Sequence, residues 1–236
     1  MRFILSSILA FSFCRPCAAL AQGSLMRAWV DPEAPDAVMG QFERGGPAKL
    51  FDTGLQSSDA FASGAAWKLS RFEQVALSPD GRRIAFKATG AGASVIGVFK
   101  VDSRSAQILD TSCDARALTW SPSGRYLVVQ DAQGLLNNSL RLMAFDETAS
   151  QIEISGDVLS DLGYSAYRFR NEGIDGGKDV WRTEVSEALW KSDNALSFKV
   201  RRVHLVHGKE PPPKQSGAPA VETWGFDLAT RKFAKL

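Results

Sequence analysis

Val75-Ala76-Leu77-Ser78-Pro79-Asp80-Gly81-Arg82-Arg83-Ile84-Ala85-Phe86 is answered 43 residues later by Leu118-Thr119-Trp120-Ser121-Pro122-Ser123-Gly124-Arg125-Tyr126-Leu127-Val128-Val129. A period of this size marks stacked units, none of which can bury its apolar faces alone. Pro79 and Pro122 stand where a type I turn wants its preset φ, each behind a serine that can bond back onto the turn. Gly81 and Gly124 close the turn, where a left-handed backbone is cheap only for glycine. The flanks alternate, Val75 and Leu77 before the turn and Ile84 and Phe86 after it, which is the period of half-buried strands.

A second hairpin follows each first one. Ser94 to Val101 runs to a turn at Asp102 and is followed by Ala106 to Leu109; Ser139 to Phe145 runs to Asp146 and is followed by Gln151 to Ile154. Gly97, inside its strand, is expected to be more forgiving of a side chain than the turn glycines Gly81 and Gly124. Four short strands in ~40 residues have the size and strand count of a propeller blade. Weaker copies flank the pair. Ala188 to Phe198 reads as a decayed hairpin with Asn194 in the left-handed glycine position, and Glu222 to Asp227 with Arg231 to Phe233 as its outer half. Val38 to Glu43 and Ala48 to Phe51 read as the outer half of one more blade. The expectation is an all-β fold, a small or incomplete β-propeller of about four four-stranded blades. A propeller completed by a partner or a second copy is the alternative.

Ser78-Pro79-Asp80-Gly81-Arg82-Arg83-Ile84-Ala85-Phe86 resembles the repeat signature of the TolB-type β-propeller family, a relative of the WD repeat. The resemblance is close over Phe72 to Ile154, loose from Val185 to Leu236, and is to the repeat rather than to a whole protein. It implies a β-propeller, exported in bacteria, that serves mostly as a protein-binding platform.

Met1 to Ala21 reads as a signal peptide. Arg2 gives a short positive start, Phe3 to Phe13 an apolar stretch, and Ala19-Leu20-Ala21 a small-x-small cleavage pattern before Gln22. The stretch falls short of the ~20 residues that span a bilayer, so no transmembrane segment is expected. Residues 22–236 form one expected domain, periplasmic or secreted. Loss of Arg2 and Arg15 with the leader would bring the 28 basic residues level with the 26 acidic ones. Neutrality removes the electrostatic case for nucleic acid, which needs clustered cations on phosphates. Cys113 alone would survive processing and reads as a small buried hydrophobe.

Motifs with chemical overtones dissolve on inspection. Gly163-Tyr164-Ser165-Ala166-Tyr167 starts like a nucleophile elbow, but Tyr167 stands where a second small residue is required. His204 and His207 fall on opposite sides of a strand, a poor spacing for one metal. Asn171 to Asp179 resembles a calcium loop but has Arg182 in place of the closing carboxylate. Trp120 and Trp190 take equivalent places as core rings between blades, and Asp80, Asp102, Asp146 and Asp227 read as turn-making carboxylates. No catalytic residue, cofactor or metal ligand is assigned, and a non-enzyme is expected. Its expected function is to hold another envelope or secreted protein, as scaffold or as inhibitor or immunity-type protein; a propeller-associated hydrolase or a glycan- or ligand-binding domain is the alternative. The speculative contact segment is the proline-rich insertion Lys209-Glu210-Pro211-Pro212-Pro213-Lys214.

Overall fold

Both serine-proline turns close as their chemistry requires. Gly81 N–H donates to Ser78 O at 2.9 Å and Gly124 N–H to Ser121 O at 2.8 Å. Both glycines have positive φ, 70° and 76°. Each serine also closes the turn from inside: Ser78 Oγ accepts Arg83 N–H at 2.9 Å and Ser121 Oγ accepts Tyr126 N–H at 3.1 Å. Both serines are buried, so these bonds keep a polar group from being stranded.

The computed structural model describes residues 23–55, 68–90, 93–111, 115–131, 141–148, 150–154, 180–205 and 221–236. Among them the strands form four antiparallel sheets. The first holds β1 (Leu25–Val30), β2 (Ala37–Phe42) and β3 (Pro47–Asp52). The second holds β4 (Leu69–Leu77), β5 (Arg83–Gly90), β6 (Ala93–Lys100) and β7 (Ser105–Asp110). The third holds β8 (Ala115–Trp120), β9 (Leu127–Asp131), β10 (Arg141–Phe145) and β11 (Gln151–Glu153). The fourth holds β12 (Val180–Trp190), β13 (Ala195–Leu205), β14 (Val221–Asp227) and β15 (Lys232–Lys235). Every strand pairs with its neighbour in sequence, so each sheet is one unbroken run of chain apart from its turns. This is the expected β-propeller architecture, three four-stranded blades and one with three described strands.

Alternation decides how the sheets stack. Ile84, Phe86 and Ala88 on β5, with Val95 and Phe99 on β6, join a core with Val38, Leu50 and Phe51 of the first sheet. The residues between them, Ala85, Ile96 and Val98, join Leu127, Val129, Met143 and Phe145 of the third sheet. The third sheet then gives Val128, Leu142 and Ala144 to a core with Leu196, Phe198 and Phe226 of the fourth. The second and third sheets are therefore apolar on both faces, which is why their strands read as near-continuous apolar runs.

β1 has the direction of a blade's second strand. Its start lies against the β4–β5 turn, where a Cβ on Gly81 would meet the Leu25 carbonyl oxygen at 2.8 Å. Past its end, in the loop to β2, Pro35 O accepts Phe72 N–H near the start of β4 at 2.7 Å. Thus β1 runs against β4, as β5 does. The first sheet supplies the expected outer hairpin, β2 and β3, plus this one strand inside it.

Two expectations about single positions need correcting. Asn194 is not left-handed; the non-glycine residues with positive φ among those described are Arg104, Glu187 and Arg231. The β12–β13 turn is instead held by Lys191 N–H on Ala195 O at 2.8 Å, and Asn194 O accepts Leu228 N–H at 2.7 Å. Gly97 reads as a tolerant strand glycine, yet a Cβ there would lie 2.4 Å from the Phe86 ring and 2.9 Å from Gln107 O. Phe86 is its cross-strand partner and the ring lies over the bare glycine.

Gly97→Val is therefore expected to cost as much as Gly81→Val, about 1–3 kcal/mol each, the first by overpacking and the second by backbone strain. Urea unfolding of both variants measures this. A Gly97→Val protein as stable as the parent would show that the Phe86 ring moves aside freely.

Candidate functional site

The turns between the first and second strands gather at one side of the stack and join sheet to sheet. Arg83 donates from its guanidinium to Gly124 O at 2.6 Å, lies over the Trp120 ring at 5.0 Å, and sits 3.8 Å from Asp80. Ser123 N–H donates to Asp193 Oδ1 in the β12–β13 turn at 2.6 Å. Just inside these turns, Trp120 Nε1 donates to Ala76 O at 2.9 Å and Trp190 Nε1 to Thr119 O at 3.4 Å. Ala76 and Thr119 occupy the same place on β4 and β8, so the innermost strand of one sheet receives the indole of the next. Both rings are only partly buried, each packed against the core behind it.

The turn carboxylates are held ionised. Burial pushes Asp80 up, but the Ser78 hydroxyl, the Arg82 N–H and the Arg83 and Arg82 cations leave it below the ordinary value of 3.8. Asp146 is likewise raised by burial and brought lower overall by the Thr148 hydroxyl and the Ser150 and Thr148 amides. Asp227 is lowered by the Thr230 amide and hydroxyl. Each acts as a turn staple, as the sequence implies.

The fourth sheet presents the other candidate surface. Ala188, Trp190, Leu196, Phe198, Trp224, Phe226 and Phe233 all join the core shared with the third sheet. Leu189 therefore points the other way, with Ser197 and then Gly225 beside it by register. Val221 shares this parity on β14, and Leu236 approaches Gly225 on the same side. Leu189, Val221 and Leu236 are 59%, 55% and 66% exposed. A Lys199–Glu187 ion pair at 2.6 Å stands among them. Leu189 occupies the place of Ala76 and Thr119, the very residues whose carbonyls receive the next sheet's tryptophan.

Met1 to Ala21, Lys209 to Lys214, Cys113, Ser165, His207 and the Asn171–Asp179 stretch lie outside the described residues. His204 is on β13, opposite Trp181. The indole-to-carbonyl links escaped the sequence reading, which treated both tryptophans only as rings. The outer face of the last sheet was hidden in the alternation of Ala188-Leu189-Trp190, which does not say which side has a neighbour. Among the described residues no helix is long and apolar enough to cross a membrane.

No protein-family model matches the chain, and no curated protein matches it. Solved structures do. The dipeptidyl peptidase 4 of Porphyromonas gingivalis matches with TM-score 0.50 at 10% identity, over 92% of this chain and 32% of that one. The β-propeller domain of the Trilobed protease from Pyrococcus furiosus matches with TM-score 0.48 at 12% identity, over 89% of this chain and 51% of that one. TolB from Acinetobacter baumannii matches with TM-score 0.41 at 11% identity, over 91% of this chain and 52% of that one. The chain thus spans from about a third to about half of these chains. The likeness at TM-score 0.50 shows the fold alone, and the match to TolB is a resemblance of structure only. The likeness to the dipeptidyl peptidase also overturns the expectation of a non-enzyme: a fold shared with an enzyme gives no ground for that claim.

The lowered carboxylates set an acid limit on stability. A group whose folded value is depressed stabilises fully above its unfolded value and loses that contribution as pH falls through the folded one. Thermal midpoints should hold steady from about pH 7 to about pH 5 and fall below about pH 4. Asp80→Asn should be less stable near neutrality and show a shallower acid slope. An unchanged slope in differential scanning calorimetry would remove Asp80 from this role.

Proposed function

We propose that the chain is an exported β-propeller that holds another envelope or secreted protein, and that the outer face of its last sheet receives the partner. One observation carries this reading: Leu189, Leu236 and Val221 are exposed on one face of the last sheet, whose counterparts in the second and third sheets are covered by a following sheet. Exposed apolar side chains on one sheet face, with an ion pair among them, are the kind of surface that marks protein association. Continuity of the stack specifies the occupant. It is a protein that offers an apolar sheet face, with a large ring placed as Trp120 and Trp190 are.

Export is part of the proposal. Cleavage between Ala21 and Gln22 would release a chain that begins close to β1, and a TolB-like propeller fits a periplasmic or secreted setting. The insertion Lys209 to Lys214 joins β13 to β14 of this same last sheet, and we assign it to the contact as well.

Paired capture from the native envelope extract tests the assignment. Leu189→Asp combined with Val221→Asp should leave the melting midpoint nearly unchanged, since both positions are exposed, while partner recovery drops at least about tenfold, or ~1.4 kcal/mol. Replacing Lys209 to Gln215 by a Gly-Ser linker should weaken the same capture without unfolding the protein. Equal recovery of one partner by parent and double variant would remove the last sheet's face from the interface. Capture that yields only further copies of the chain would show that self-association covers it instead.

A further inference from the structure

We propose a second, separate site: the cleft between the outer ends of the first and second sheets binds a small organic carboxylate with an aromatic or branched apolar body. The cleft has a volume of about 310 Å³ and lies between the end of β3 with the loop after it and the β6–β7 turn. That volume is at the small end of the range, about 300–1,000 Å³, in which small-molecule sites fall.

Its floor is apolar. Phe51 and Phe99 come from different sheets, and their ring centres lie 4.2 Å apart at an interplanar angle of 31°. Both are almost wholly buried and back the cleft, and the apolar surface open to a ligand comes chiefly from Leu55. The mouth is cationic. Lys49 Nζ lies 2.9 Å from Asp52 Oδ2, while Asp52 Oδ1 accepts Gly54 N–H at 3.0 Å. With both oxygens engaged by its own loop, the Asp52 carboxylate is neutralised toward a ligand. The hydrogen bond and charge of Lys49 hold that carboxyl below the usual range, so it stays ionised and paired at neutral pH.

Arg104 is the remaining charge. Its backbone is left-handed, φ 51°, a conformation that disfavours a residue with a Cβ and accumulates at functional positions. From there its guanidinium crosses to the first sheet and donates to Leu50 O at 2.9 Å. That bond uses one of five N–H donors and fixes the plane of the fork. A guanidinium so anchored presents a planar pair of donors that matches a carboxylate, above a floor that suits an apolar body. The lining holds Lys49, Asp52 and Arg104; Lys49 is engaged by Asp52 and also feels Asp36 from outside the lining, so Arg104 is the cation offered to a monoanion.

A carboxylate of this kind is carried by a free acid or by the last residue of a peptide. Nuclear magnetic resonance titration of the isotope-labelled protein separates these with three probes: 3-phenylpropionate, its amide 3-phenylpropanamide, and N-acetyl-alanyl-phenylalanine. One or both acids should give saturable shifts at the backbone amides of Gly54, Leu55 and Arg104. The neutral amide should bind at least about tenfold more weakly, the effect of losing a charge-assisted pair. Arg104→Gln should weaken the acid by a similar factor, Arg104→Lys by less, and Lys49→Gln should weaken it too by freeing the Asp52 charge. Equal binding of acid and amide, shifts that miss these amides, or full affinity in Arg104→Gln would each overturn the proposal. None of these outcomes bears on the outer face of the last sheet.

Discussion

Ile84, Phe86 and Ala88 press against the first sheet while Ala85, between them, presses against the third. A strand in this position cannot slip by one residue, because the slip would exchange two complete sets of apolar contacts at once. Most other features of the fold serve that constraint. The serine-proline turns set the register at one end of each inner hairpin, with Gly81 and Gly124 supplying the conformation that the bulged connection demands. Gly97 lets the Phe86 ring lie across its own partner strand, so a large side chain fits between sheets without spreading them. The tryptophan-to-carbonyl bonds then join neighbouring inner strands where the turn ends and solvent begins.

This explains what the sequence discloses and what it hides. The turns at Ser78 to Gly81 and Ser121 to Gly124 are legible because their geometry is local: proline, serine and glycine each impose a dihedral or a hydrogen bond within a few residues. The outer hairpins are legible for the same reason. β1 is not. Leu25 to Val30 has no turn signature before it, and its place is set by the Leu25 and Pro35 carbonyls meeting a sheet far along the chain. Gly97 was misread because a strand glycine looks permissive until the ring opposite it is known. Asn194 was misread because the turn it belongs to is closed by backbone bonds that need no left-handed residue.

The candidate sites are less legible still. Leu189 differs from Ala76 and Thr119 in having no following sheet among the described residues, a fact about the stack rather than about the residue. The rim cleft joins Lys49 to Arg104 across sheets, and neither residue lies in a motif. What turns them into a site is the pair of phenylalanine rings between them and the backbone conformation of the arginine. Charge spread along a chain reads as solvated surface, and only the folded stack collects it.

Each sheet is a continuous stretch of chain, and among the described residues its core contacts reach the sheets on either side. Stability in such an array behaves as a sum of nearest-neighbour terms, not as one indivisible transition. Cooperativity should therefore decay along the array. The inner sheets, each gripped on two sides, would exchange their amide hydrogens slowest, and the outer sheets would open first by sub-global fluctuations. A chain that emerges N-terminus first from the ribosome would thus lock its units in the order of their synthesis. The last sheet, with one face uncovered among the described residues, would be the element whose order responds most to what docks on it.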